Sequence, residues 1–378
     1  MVNAFPKKLP KKRSGGNRRL DVYLVEEIVP LMLTGLIVVV LLFVLAALYE
    51  VIAPILAKGA DPRLVARLML FSLPESFGRG FPIAVLFAVM LGFSRLSSDA
   101  EIKAMLAGGV SPSRLALPVL GLSMAVALIS FLNNELVVPQ ASNIAFQTQR
   151  DIVLDNPRVL VKEKAIFKDN LNRAIYVDSI GADDTLHGIQ IIQMTVNEAP
   201  KEVILASEGK LERGTATMLL YQGERVTYNS GKVVTVQSFR EARLPVQDLQ
   251  ASLNGNNTVA SQAMRMPLRT LLQDIQNSRS RGLPTAAQET ALNRKFSEPL
   301  AAVAFGFFGV MLALFTLRSG SGVGIVWTVF LTFSYYATWS VFRVMGEQNA
   351  LPPVFAAWIP DALYVVAGFV LWALSTRR

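Results

Sequence analysis

Residues 28–49 read IVPLMLTGLIVVVLLFVLAALY, 22 residues without one charge. A helix of roughly 20 apolar residues crosses the hydrocarbon core of a bilayer. The run is too long for a signal-peptide core, and no small-residue cleavage site follows it. Three more uncharged runs lie further along, Leu115–Asn134, Pro299–Leu317 and Ser319–Phe342. Two others are interrupted. Gly80–Ser94 is uncharged, and its apolar pattern reaches back to Leu64 across Glu75 and Arg79. Ala362–Thr376 is uncharged, and its pattern starts near Val354 across Asp361. The sequence therefore predicts six membrane helices, three before a long polar insert and three after it.

The insert, residues 139–292, is too polar to span. Its alternating runs are Ala174–Val177, Ile189–Val196, Val203–Ala206, Ala216–Tyr221 and Lys232–Phe239. Turn signals such as Asn170, Gly181-Ala182-Asp183-Asp184, Gly214, Gly223 and Asn229-Ser230-Gly231 separate them. Short strands punctuated in this way predict an antiparallel sandwich, roll or barrel. Residues 251–262 read as a Ser/Asn/Gly-rich loop, and 266–295 as a polar helical connector broken near Gly282-Leu283-Pro284. The expected fold class is an α+β membrane protein. A basic tail and interfacial segment (1–27) precede three spans (28–138). The β-domain (139–265), the connector (266–295) and three more spans (296–378) follow.

Composition agrees. Of 378 residues, 52% are hydrophobic and only 17% charged, below the quarter or so expected of a soluble chain. There is no cysteine, which excludes disulfides, thiolate metal sites and cysteine nucleophiles. His187 is the single histidine, too few for a multi-histidine metal site. No phosphate-binding loop motif occurs, so ATP hydrolysis is not expected within this chain, and no cofactor is implied. The net charge of +9 is concentrated early, at Lys7, Lys8, Lys11, Lys12, Arg13, Arg18 and Arg19. Beside an apolar helix, such a tail is a cytoplasmic topology determinant. No basic fold or aromatic platform accompanies it, so nucleic acid is not an expected partner. With six spans, the 96–113 loop, the 318–322 turn and Arg377-Arg378 then also lie in the cytoplasm, and the insert lies outside.

Four places could carry function. In the loop Ser97–Pro112, the acids Asp99 and Glu101 open a short helix that Gly108-Gly109 ends. It reads either as a solvated connector or as a docking helix, with Glu101 as a charged anchor and Met105 and Leu106 as apolar knobs. In Pro74-Glu75-Ser76-Phe77-Gly78-Arg79-Gly80-Phe81-Pro82, the prolines and glycines predict a kink, and Glu75 and Arg79 share a face. Tyr49 and Glu50 close the first span, and Lys58 follows in a short loop; an ordinary interface is the simpler account. In the insert, Ile192, Met194, Val196, Met218, Leu220, Val234 and Val236 form either a packed core or an open groove for lipid chains. No catalytic constellation emerges.

In order along the chain, these residues resemble the lipopolysaccharide-export permease family, the LptF/LptG type. The resemblance rests on Pro74-Glu75, Pro82, Glu101, Gly109 and Ser111, then Asn133, Pro139 and Asn143. It continues with Arg294, Pro299-Leu300, Arg318-Ser319-Gly320, Tyr335-Tyr336, Gly346, Leu351-Pro352-Pro353 and Trp358-Ile359-Pro360. It implies a periplasmic β-jellyroll between two sets of three helices, in a bacterial inner membrane with both termini cytoplasmic. It implies a permease subunit of an ATP-driven exporter that extracts lipopolysaccharide or a related envelope glycolipid. The 97–113 segment would be the coupling helix docking a cytosolic ABC ATPase dimer, through Glu101, Ile102, Met105, Leu106 and Gly109. A second permease subunit, or a second copy, would share a substrate cavity lined by spans one, two and five. Tyr49, Glu50, Lys58, Glu75 and Arg79 are its candidate residues. The jellyroll groove, with Ile192, Met194, Met218, Leu220, Val234 and Val236, would hand acyl chains to a periplasmic bridge protein. One departure stands out: where family members that move lipopolysaccharide tend to carry bases, this chain has Ala47, Tyr49 and Glu50. Either the partner subunit supplies that charge or the glycolipid differs. The competing classes are a lipid-modifying membrane enzyme and an envelope-assembly scaffold.

Overall fold

Long apolar runs become long helices. In the computed structural model, residues 15–156, 165–168, 173–181, 185–194, 200–212, 217–229, 232–245, 259–316 and 323–376 are described. Outside the described residues lie Lys7 to Arg13, Asn170, Val196, Gly214, Ala216, most of the 251–262 loop, the 318–322 turn and Arg377-Arg378. Helix α1 (Gly15–Ala47) passes through a π-helical turn (Leu48–Ile52) into α2 (Ala53–Ala57). Then come α3 (Pro62–Ser98), α4 (Glu101–Ala107) and α5 (Pro112–Leu132). A second π-helical turn (Asn133–Val137) leads into α6 (Val138–Asp155). Six strands follow: β1 (Ala165–Lys168), β2 (Arg173–Ile180), β3 (Thr185–Met194), β4 (Pro200–Glu212), β5 (Thr217–Asn229) and β6 (Lys232–Pro245). The chain closes with α7 (Val259–Arg265), α8 (Leu268–Ser280), α9 (Ala286–Thr316), α10 (Val323–Glu347) and α11 (Pro353–Thr376).

Five stretches among the described residues are long and apolar enough to cross a membrane: Arg18–Ala57, Pro62–Ser98, Pro112–Val153, Ala286–Phe315 and Pro353–Leu374. The sequence predicts six. The remaining run, Ser319–Phe342, corresponds to α10, a helix of 25 residues.

The described chain divides into two compact units. One comprises residues up to Val39, Phe77–Leu132 and Pro284 onward. One of its cores joins Leu24, Ile28, Phe93, Leu96, Ile102 and Leu115 to Val310 and Met311. Another centres on Phe305, whose ring meets Tyr335 edge-on at 4.6 Å and Tyr364 at 5.3 Å. Helix α3 continues through Pro82, which has no N–H to give the carbonyl of Gly78. The Ser130 hydroxyl donates to that carbonyl at 3.4 Å.

The other unit comprises Val40–Ser76 and Asn133–Leu283. The sequence reading starts the β-domain at residue 139, but Val138–Asp155 is helical and the described strands begin at Ala165. Among the described residues, β1 to β6 form one antiparallel sheet in sequential order. Its buried cluster contains Ile175, Val177, Leu186, Ile189, Ile191, Ile204, Ala206, Met218, Leu220 and Leu244 from the strands and, among the described residues, Val153 of α6. The inward parity changes along β3, where Leu186 and Ile189 are both buried. The change falls at Gly188, whose φ is +63°; a Cβ there would sit 2.8 Å from Asp178 Cβ. On β5 the matching change falls at Gln222, φ 48°.

Candidate functional site

The short helix α4 follows Ala100, a left-handed residue with φ 60°, and ends at Gly108 and Gly109, φ +85°. No side-chain cap closes its start. Its faces differ from the sequence reading. Ile102 is fully buried in the core with Leu96 and Leu115, and Met105 and Leu106 lean on the same cluster. A seven-residue helix without its own core buries its apolar side under α3 and α5, which takes Ile102 inside and leaves Met105 and Leu106 partly exposed. The exposed set is Lys103, Ala104, Ala107, Gly108 and Gly109. Glu101 is partly exposed, and its Oε2 accepts the Tyr23 hydroxyl at 2.5 Å.

Tyr49 and Glu50 occupy the π-helical turn Leu48–Ile52, and both side chains are exposed, Tyr49 to 80%. Single π turns inside helices interrupt the regular ladder and re-aim the side chains they carry. Lys58 caps α2, and its carbonyl accepts Asn156 Nδ2 at 2.8 Å. Glu75 takes Arg265 of α7 as a partner, Nε to Oε2 at 3.2 Å, and that guanidinium lies 5.5 Å from the Phe146 ring centre. Beside it, Asn133 Nδ2 donates to the carbonyl of Pro74 at 2.9 Å. Glu135 Oε1 accepts the backbone N–H of Leu268 at 2.6 Å. Glu75 is thus part of a polar joint between α3, the second π turn and the connector. Arg79 belongs to the other unit, where its carbonyl accepts the Tyr336 hydroxyl at 3.1 Å.

The six candidate groove residues of the sheet do not share a face. Met218 and Leu220 are inward, 1% and 0% exposed. Ile192, Val203, Val226 and Val236 are register partners on the opposite side, beside the buried row Ile175, Ile191 and Ile204. Met194 is half-buried, and Val234 and Val236 on β6 are 62% and 57% exposed. The change of parity within the strands defeats a simple count of alternating positions.

The partners of two buried charged residues carry no signal in the sequence. Arg294 is 7% exposed and reaches Glu298 Oε1 with Nε at 2.9 Å and Nη2 at 2.6 Å. It also lies 3.6 Å from Glu347 and stacks over Trp339 at 4.5 Å. Asp361 is buried and accepts the Tyr335 hydroxyl at 2.9 Å. Among the described residues, no group of three or more His, Asp or Glu could hold a metal ion.

Comparison with known proteins gives this geometry a context. The chain is 22% identical to the lipopolysaccharide export system permease protein LptG of Escherichia coli K12 over 313 residues, 82% of this chain and 84% of that protein. It is 20% identical to the LptG of Haemophilus influenzae over 310 residues, 81% and 84% of the two chains. It is also 21% identical to the LptF of Escherichia coli K12 over 359 residues, 92% and 93%. Residues 22–374 match the family described as lipopolysaccharide export system permease LptF/LptG, and the chain belongs to that family.

Proposed function

We propose that this chain is a permease subunit of an exporter that lifts lipopolysaccharide, or a closely related envelope glycolipid, out of a bacterial inner membrane. The observation that carries the reading is α4: a short helix between two long apolar helices, in a chain of the export-permease family. It offers a small-residue surface edged by Glu101 and Lys103. A cytosolic ABC ATPase docks there and drives the helices. Helix α10 serves as the fifth of six spans; Val326, Val329, Phe330 and Phe333, each more than half exposed, give it an apolar face for lipid or for a second permease subunit. Both LptF and LptG relatives match at comparable identity, which fits a chain that works with a paired permease. Both termini and α4 lie in the cytoplasm, and the sheet lies in the periplasm. Tyr49 and Glu50 face the substrate cavity.

The energetic problem is the acyl chains, which cost about 0.8 kcal/mol per methylene brought into water. An apolar route along the sheet removes most of that cost, and ATP binding supplies the rest. The inward row of Met218 and Leu220 is the route, and β6 hands the lipid to a periplasmic bridge protein. β6 is suited to this: it pairs only with β5 among the described residues, and Val233, Val234 and Val236 are exposed along it. A free edge of this kind accepts a further strand.

The test is a pull-down from native membranes in mild detergent, wild type beside Glu101→Arg, with ATPase activity assayed. A soluble ATPase that accompanies the wild type and is lost or inactive with the variant is the expected result. No ATPase with either protein removes the transporter reading. One observation favours a scaffold instead, the tightly closed cluster around Met218 and Leu220. Photocrosslinkers at Met218 and Leu220 separate the two. Lipid adducts there support the route, adducts only at Ile192 or Val236 move it to the outer face, and none at any site favours the scaffold.

A further inference from the structure

The start of α1 grips the coupling elements at three points. Asp21 Oδ1 lies 2.6 Å from Arg114 Nη2 at the start of α5. Tyr23 donates its hydroxyl proton to Glu101 Oε2 at 2.5 Å, on α4. Glu27 Oε1 lies 2.9 Å from Arg95 Nη1 near the end of α3. Between these contacts, Leu24 and Ile28 are buried against Leu96, Ile102 and Leu115. Positions 21, 24 and 28 fall on one helical face, and 23 and 27 stack beside it. Each of the three segments that frame the coupling loop therefore receives one polar contact from α1, around one shared apolar seam.

The middle contact differs from the other two. Arg95 and Arg114 sit at the ends of long helices that are fixed by their own cores. Glu101 is the first residue of a seven-residue helix, behind an uncapped left-handed alanine. Its side chain has three rotors, and the phenol holds one carboxylate oxygen. That leaves the second oxygen, with the carboxylate's charge, presented in one direction. A carboxylate held in this way loses less freedom when a cationic group docks on it. Tyr23 is itself 38% exposed, so the pair is within reach of a docking protein.

We propose that Tyr23 is a positioning residue for ATPase coupling: it orients Glu101 for a cationic group of the ATPase. The proposal rests on the reading that α4 docks that ATPase. It is tested with the complex purified from native membranes, comparing Tyr23→Phe, Glu101→Gln, the double variant and Glu101→Arg. Four quantities are read: maximal ATPase rate, ATP concentration at half-saturation, amount of ATPase retained and melting temperature. Tyr23→Phe keeps the ring and its packing, so melting temperature and ATP half-saturation stay at their wild-type values. The maximal rate falls about three- to tenfold, the order expected for the net worth of one typical hydrogen bond. The double variant is no slower than Glu101→Gln alone. A wild-type rate in Tyr23→Phe beside an inactive Glu101→Arg overturns the proposal and leaves the coupling reading standing. An equal further loss in the Glu101→Gln background, or a loss that tracks a lowered melting temperature, also overturns it, because Tyr23 then acts through packing. An unaffected Glu101→Arg removes the coupling reading itself and the proposal with it.

Discussion

Arg294 satisfies two carboxylates and an aromatic ring at once, and its side chain is only 8% exposed. Glu298 and Glu347 are 19% and 15% exposed, so neither can turn to water if the guanidinium is removed. Arg343, 3.7 Å from Glu347, covers only the second of them. Arg294→Ala is therefore expected to cost about 3 kcal/mol, the scale of an orphaned buried charge. Arg294→Lys recovers only part of this, because an ammonium offers neither the fork to Glu298 nor the flat stack on Trp339. Thermal unfolding of the detergent-purified protein measures both; equal midpoints for the lysine variant and wild type would show that charge alone matters. Gly346 is a second residue with a narrow tolerance. A Cβ there would lie 2.6 Å from Ala356 Cβ and 2.9 Å from Thr290 Oγ1. Gly346→Ala should cost about 1–3 kcal/mol by overpacking. Ala356→Gly in the same chain should return part of that loss, a coupling visible in a double-mutant cycle of melting temperatures.

Elements were legible where their pattern was pure. The spans on α1, α5 and α9 stand out because their runs carry no charge, and those on α3 and α11 because the apolar pattern continues across Glu75, Arg79 and Asp361. The described parts of the five alternating runs fall on strands β2 to β6, because turn residues punctuate the sequence between them. Helix α6 was hidden for a physical reason. Its buried positions are Val138, Pro139, Ala141, Ser142, Thr148, Gln149, Ile152 and Val153. The spacing is helical, but three of these are polar, and so are the exposed Gln140, Asn143, Gln147, Arg150 and Asp151 between them, so no long apolar run marks the helix. The facing of the strands was hidden too, since the parity change at Gly188 and Gln222 is a matter of backbone dihedrals. Nor could the sequence show that Glu135 caps α8. That helix follows Pro267, which supplies no cap, and the carboxylate from the π turn takes its first N–H. Glu135→Ala should cost about 1 kcal/mol, the usual worth of a lost cap. Hydrogen exchange should speed up in the first turn of α8 and not in α9. Unchanged exchange at Leu268 would show that water replaces the carboxylate without loss.

At the scale of the whole molecule, the family match spans residues 22–374 while identity to individual relatives is only 20–22%. A resemblance so thin in identity was legible because several of its residues hold the backbone or join helices. Asn133 binds the carbonyl of Pro74, Pro82 frees the carbonyl that Ser130 takes, and Tyr336 binds the carbonyl of Arg79. Surfaces that meet partners leave a fainter trace, because exposure rather than residue type defines them. β6, at the edge of the sheet among the described residues, is the surface proposed to meet the bridge protein. Val234 and Val236 are exposed, and a register shift between Thr227 and Tyr228 leaves Val234 without an opposite residue on β5. Replacing both with lysine places charges on the edge, the device by which sheets refuse an added strand. Since neither side chain is in the core, the fold should change by less than about 0.5 kcal/mol. If β6 receives the bridge protein, a photocrosslinker at Val233 should capture a periplasmic protein in the wild type and lose it in the double lysine variant. A crosslinker at Leu244, 8% exposed, should capture nothing in either. Retained capture at Val233 in the lysine variant would mean that the bridge docks through side chains elsewhere and that β6 is merely a bare edge.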